Sequence, residues 1–193
     1  DTLTLRMAQI LGPNKQEVLK TASLLAFLDE NNFQAPGPPP APPLKVVTKN
    51  KSVHLSWKPT ADRNPETYQD PNRADDVEQP FEGYRVYKST NSPAGPWTLL
   101  AEFDIAGNEF GQNTGLQHDF TDTGLMNNVE YYYAVTAFSK PDTVLDFPSQ
   151  ETSPRANANE IIPGTEPPSD VGQVAVVPNP YRGDIDYNAM NPP

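Results

Sequence analysis

The chain has 193 residues, 23 prolines, no cysteine and a net charge of −11. The missing cysteines exclude disulfides, thiolate metal sites and a cysteine nucleophile, and the acidic balance argues against a nucleic-acid partner, because phosphate backbones are repelled. So much proline does not suit a helical bundle and favours short strands joined by turns. No apolar run approaches the roughly 20 residues of a membrane span.

The N-terminal segment, residues 1–35, contains one predicted helix. Asn14 can cap it, and Glu17 three residues later completes a capping-box pattern. Apolar residues follow at helical spacing, namely Val18, Ala22, Leu25 and Leu28. The pattern predicts a helix at about 15–30. Its apolar stripe either packs on the core of a neighbouring unit or binds a partner.

Residues 36–43, "PGPPPAPP", form the next segment, and six of these eight positions are proline. Such a run predicts an extended, semi-rigid polyproline linker on the C-terminal side of the helix.

From Leu44 to Ile162 the period of the apolar residues changes to two, which is typical of strands. Seven short extended stretches separated by turn signals predict an all-β antiparallel sandwich. The inward positions of three of these strands are predicted to form the core: Trp57, Tyr84, Val86, Tyr131, Tyr133 and Val135.

These residues resemble a fibronectin type III domain. The tryptophan of the second strand is Trp57, "GYRVYKS" is typical of the third, and Leu125 with Tyr131 matches the tyrosine-corner motif, followed by a Tyr-x-Val-x-Ala run. The resemblance implies a fibronectin type III sandwich in which the corner tyrosine bonds back to the chain before it.

The flanks resemble those of large secreted surface proteins of Bacteroidetes-like bacteria. "VAVVPNPYRG" within residues 163–193 looks like the start of an Ig-like or C-terminal sorting segment, so we interpret the chain as part of a longer polypeptide. Arg182-Gly183-Asp184 spells an adhesion tripeptide, but it belongs to this junction, and we do not expect it to act in adhesion. Val174 and Val176 lie in a β-prone run that we predict to pair with a neighbouring sheet edge.

The long connection at residues 59–81 is the first candidate site, because loops of this length are uncommon unless they are functional or mobile. Oxygen-bearing side chains at calcium-loop spacing begin it, and further carboxylates follow: Asp62, Asn64, Glu66, Asp70, Asp75 and Asp76. The pattern then fails, because Thr67 and Arg73 stand where the turn glycine and the bidentate glutamate belong. Either calcium binds here or the loop is solvated or contacts a partner; no other cofactor is expected.

The second candidate site is an aromatic stripe on the outer face of two strands. Strand parity places Tyr87, Tyr132 and Phe138 there. Because such a stripe should not stay bare, we expect the N-terminal helix or a neighbouring domain to cover it, or the stripe to contact another subunit or a glycan.

Catalytic motifs are missing from the sequence: there is no Gly-x-Ser-x-Gly and no glycine-rich phosphate loop. We therefore expect no enzyme but a structural or protein-interaction module of a secreted or cell-surface bacterial protein, working with other chains or domains of one extracellular assembly. Two alternatives stay open. One is an accessory domain of a larger secreted hydrolase, and the other is a calcium- or glycan-binding module.

Overall fold

The computed structural model describes residues 6–165; Val174, Val176 and Arg182-Gly183-Asp184 therefore lie outside the described residues. The described chain contains one helix and seven strands: α1 Lys15–Glu30, β1 Lys45–Lys49, β2 Ser52–Ser56, β3 Phe81–Ser89, β4 Thr98–Asp104, β5 Asp119–Thr123, β6 Tyr131–Ser139 and β7 Asn159–Ile161. Short 3-10 helices occupy Pro65–Thr67 and Pro154–Ala156. No helix in this part of the chain is long and apolar enough to cross a membrane.

The strands form two antiparallel sheets, with strand orders β1-β2-β5 and β4-β3-β6-β7. This is the fibronectin type III-like sandwich that the sequence predicts. The last extended stretch, predicted at about residues 148–162, is less regular than expected: β7 pairs only with the start of β6, and Glu151 bridges to Phe138 alone.

The core lies between the sheets and contains all six residues predicted to be buried. The Trp57 ring stacks on Phe103 and meets the edge of Tyr84, each at 6.0 Å between centroids. The tyrosine corner is present as well, because the backbone N–H of Met126 donates to the Tyr131 hydroxyl at 3.1 Å. The predicted register of β2, β3 and β6 is thus confirmed.

Helix α1 begins and ends where the sequence predicts. The side chain of Asn14 accepts a hydrogen bond from the Glu17 backbone N–H at 3.0 Å, which caps the first turn. None of the helix residues is buried, however. The apolar stripe was interpreted either as packing on a core or as binding a partner. The described residues do not show the first of these.

The polyproline segment, predicted as an extended and semi-rigid linker, contacts the sandwich along its length. Every third residue, Pro36, Pro39 and Pro42, is buried, as expected for one edge of a helix with three residues per turn. The Thr152 hydroxyl donates to the carbonyl of Pro39, and the Asn157 side chain donates to that of Pro42 at 3.0 Å. The segment is therefore docked along residues 152–157, a contact that linker composition alone does not reveal.

Three long connections meet at one end of the sandwich. The register sets Ser56 at the end of β2 beside Asp119 at the start of β5, and Gly83 near the start of β3 opposite both Asp104 and Phe138. Residues 57–80, 105–118 and 140–150 consequently emerge together. We call these three segments the loop end.

Candidate functional site

A buried ion pair organises the first segment of the loop end. Arg73 donates to both carboxylate oxygens of Asp75, at 2.9 and 2.5 Å, and the two side chains are only 3% and 8% exposed. The same guanidinium donates to the backbone carbonyls of Lys140 and Pro141 at 3.0 and 2.9 Å. Burial alone would raise the pKa of Asp75, but Arg73 and a backbone N–H hold it below its ordinary value. Residues 57–80 and 140–150 are thus joined.

A second carboxylate strengthens the same junction. Asp142 is 1% exposed, and it accepts a hydrogen bond from the Ala74 N–H at 2.8 Å. Its other oxygen accepts from the N–H groups of Val144 and Leu145, both at 3.0 Å. Because a buried N–H needs a partner, this one side chain satisfies backbone groups from both segments.

Asp104 folds the second segment, residues 105–118. Its fully buried carboxylate accepts hydrogen bonds from the backbone N–H groups of Gln112, Asn113 and Thr114, and from the Thr114 hydroxyl at 2.7 Å. Burial would raise the pKa of Asp104, but these donors outweigh it and keep the pKa below its ordinary value. Gly111 has φ +69° and passes so close that a Cβ there would collide with the carboxylate.

Glu66 connects the first segment to the core. It accepts a hydrogen bond from the Tyr84 hydroxyl at 2.8 Å, and the same oxygen lies 2.6 Å from His118 Nε2. Burial, followed by the bond to Glu66, raises the pKa of Tyr84 well above its usual range. The loop end is therefore fixed by polar groups that reach into the sandwich.

The six oxygen donors considered for calcium do not meet at one point. The side chain of Asn64 accepts a hydrogen bond from the Glu66 N–H at 3.0 Å and so caps the 3-10 helix, and the Glu66 carboxylate accepts from the Tyr84 hydroxyl. Asp70 accepts from the N–H groups of Gly37 and Asn72, while the remaining three donors are the paired Asp75 and the exposed Asp62 and Asp76. Between residues 6 and 165, no group of three or more His, Asp or Glu side chains is placed to hold a metal ion.

One residue of the predicted aromatic stripe, Phe138, is buried beneath an ionic network. Phe138 is only 3% exposed, so it offers no contact surface; the Arg85 guanidinium lies 4.1 Å from its ring centroid. Glu151 binds Arg85 at 2.5 Å and accepts from the Tyr87 hydroxyl at 2.8 Å. Burial and Glu151 raise the pKa of Tyr87 to about 12. Tyr87 and Tyr132 are partly exposed, and their role as partner contacts stays a prediction.

Exposed apolar side chains gather around α1 instead. Leu19 and Val144 are 56% and 64% exposed and line a cleft of about 460 Å³ between the helix and residues 140–150. An exposed ion pair, Lys20 with Asp146 at 2.7 Å, crosses it. Further exposed apolar side chains lie nearby in sequence: Met7, Leu11 and Phe33. Sequence periodicity located the helix, but it gave no sign of Val144.

No protein-family model matches the chain, and no relative was found among curated proteins. Among solved structures, similarity extends to a β-1,2-glucanase from Parabacteroides distasonis (14% identity, TM-score 0.38), of which the match spans 14% while covering 69% of this chain.

An Fn3-like protein from Clostridium thermocellum is 20% identical over 69% of this chain and 97% of its own, with a TM-score of 0.36. The FN5 domain of Drosophila Lar is 17% identical over 68% of this chain and all of its own, with a TM-score of 0.35. The fold assignment itself rests on the strand order and the tyrosine corner of this chain.

Proposed function

We propose that this chain is a non-catalytic protein-interaction module of a secreted or cell-surface protein, and that α1 with residues 140–150 contacts another protein domain of the same assembly. One observation carries the proposal. A 16-residue helix lies beside the loop end without a single buried residue, although its sequence is amphipathic.

Such a helix needs a further contact to be stable. Isolated helices of this length are marginal in water, because most helical stability in proteins comes from burying an apolar face. The Lys20–Asp146 pair is largely exposed, and pairs of that kind contribute about 0–1 kcal/mol. An additional surface that buries Leu19 and Val144 would supply the apolar contact that the sandwich does not give to α1.

The chemistry of this surface favours a protein as the occupant. Exposed aliphatic side chains and charges of both signs line it together, and such a mixture is common in protein interfaces. An anionic membrane surface would repel a chain of net charge −11. The extracellular location is supported by the resemblance of the flanking segments to secreted surface proteins.

Cross-linking of the native protein in its producing cells tests the proposal. Lys15 and Lys20 on α1 should form cross-links to another protein domain, identified by mass spectrometry. Lys49 and Lys51, at the opposite end of the sandwich, are the internal control. Cross-links from α1 that stay within residues 6–165 would contradict the proposal.

A pair of variants sharpens the result. Leu19→Ser should abolish those cross-links, whereas Leu99→Ser, at a similarly exposed leucine on β4, should leave them unchanged. Equal effects of the two substitutions would mean that the contact is not made through α1. Protease accessibility on intact cells tests the surface location separately.

A further inference from the structure

A lysine, an asparagine and a buried glutamate meet at the loop end, and none of the three lines the cleft at Leu19 and Val144. Glu82 is 1% exposed, and both of its carboxylate oxygens accept from the Asn108 side-chain amide, at 2.8 and 3.0 Å. Lys140 Nζ lies 3.7 Å from the same carboxylate. The amine and the amide therefore approach one acid from two different segments.

The backbone explains why a glutamate points here. The pairing of β3 with β6 shifts between Phe81 and Gly83, so Glu82 is the extra residue of a bulge, a feature that redirects side chains. Gly83 allows this close approach, because a Cβ there would collide with the Phe103 carbonyl oxygen. The Lys140 N–H donates to the Pro80 carbonyl at 2.7 Å, which positions the lysine beside the bulge.

We propose that Lys140 and Asn108 become joined by an intramolecular amide bond, with Glu82 transferring the protons. The inference goes beyond the proposed function: it assigns a self-modification, completed once per chain, that does not act on an external substrate.

The reaction balances without a cofactor or an oxidant. Glu82 takes a proton from Lys140, and the free Nζ attacks the side-chain carbonyl carbon of Asn108. Glu82 then protonates the amide nitrogen of Asn108, the C–N bond breaks and ammonia leaves. The new amide nitrogen gives its surplus proton to Glu82. Glu82 passes this proton to the ammonia, which departs as ammonium.

Two further features support this chemistry. The Phe110 N–H donates to Asn108 Oδ1 at 2.9 Å, so a backbone donor already faces the oxygen that becomes negative in the tetrahedral intermediate. Burial raises the pKa of Glu82, although Asn108 and Lys140 act in the opposite direction. A raised pKa favours a carboxyl group that can hold a proton. Holding both reactants on one scaffold converts the attack into an intramolecular step.

The bond would give a covalent cross-link to a chain that has no cysteine and therefore no disulfide. It would link residues 105–118 to residues 140–150 covalently, and cross-links of this kind stabilise proteins partly by restricting the unfolded chain.

Intact mass spectrometry of the 193-residue chain tests the proposal. The expected mass is lower than the sequence mass by one molecule of ammonia, and proteolysis should yield one branched peptide containing Asn108 and Lys140. Lys140→Arg and Glu82→Gln should both restore the full sequence mass. Lys58→Arg, at an exposed lysine near the same end, should keep the loss.

Folding of each protein is verified by the fluorescence of the buried Trp57, so that an unfolded variant is not counted. A folded wild-type chain that keeps the full sequence mass after prolonged warm incubation would overturn the proposal and leave Glu82 as a structural acceptor. Loss of ammonia mapped to another residue, or retained in Lys140→Arg, would overturn it equally.

Discussion

Replacing Asp104 by asparagine should destabilise the protein strongly. The side chain keeps its shape, but one of its two acceptor oxygens becomes an N–H₂ donor. Each carboxylate oxygen accepts two hydrogen bonds, one pair from the N–H groups of Gln112 and Asn113 and the other from Thr114. An asparagine amide must place its own N–H₂ group against one of these pairs. Turned towards Gln112 and Asn113, the amide loses two hydrogen bonds; turned towards Thr114, it loses at least the one from the backbone N–H, because the Thr114 hydroxyl can accept instead.

The expected magnitude follows from these contacts. Hydrogen bonds to a charged group contribute roughly 1.5–3 kcal/mol each, so the loss of one or two should lower the free energy of unfolding by about 1.5–6 kcal/mol. That is a large share of the roughly 5–15 kcal/mol by which most domains are stable. Gly111→Ala should act on the same carboxylate from the other side, since its Cβ would collide with it and its φ is +69°.

Urea denaturation followed by tryptophan fluorescence measures the effect. Asp62→Asn is the matched control, because Asp62 is exposed, and such substitutions usually change stability by about 0.5 kcal/mol or less. If Asp104→Asn unfolds within about 1 kcal/mol of the wild type, the carboxylate does not organise residues 105–118, and its hydrogen bonds add little to stability.

Three further predictions concern the core, the corner and the loop end. Trp57→Ala should lower the free energy of unfolding by about 3–5 kcal/mol in urea titrations, as expected for a fully buried aromatic residue; a smaller loss would mean that the core collapses around the cavity. Tyr131→Phe should cost about 1 kcal/mol in the same assay, because one hydrogen bond from Met126 is lost, and an unchanged midpoint would show that the corner bond adds nothing. The melting temperature should be the same in millimolar calcium and in chelator, since the candidate ligands have separate partners; a rise in calcium would restore the calcium interpretation.

The spacing of apolar residues in the sequence predicted those helices and strands whose formation depends only on residues nearby in the chain. Helix α1 was located by its cap and its spacing, and the core of β2, β3 and β6 by alternation about Trp57, Tyr84 and Tyr133. Such patterns work because the side-chain period follows directly from the backbone geometry.

Periodicity could not show which distant segment covers a given surface. Phe138 has outward parity and is nevertheless buried, because Arg85 from the neighbouring strand lies across its ring. Pro39 and Pro42 belong to a segment with the composition of a linker, although their carbonyl groups accept from Thr152 and Asn157, more than a hundred residues later. Both outcomes depend on partners whose proximity only the tertiary fold creates.

The acidic loop end illustrates why carboxylate spacing alone is a weak predictor of a metal site. A long polar loop has many backbone N–H groups that need acceptors once they are buried. Asp104 and Asp142 fill that need directly, and Asp75 does so while paired with Arg73. A carboxylate that already accepts several N–H groups has few lone pairs left for calcium. Asp75, one of the six side chains that suggested a cation site, therefore acts with Asp104 and Asp142 as an internal support of these loops. None of these supports covers the exposed apolar side chains of Leu19 on α1 and Val144.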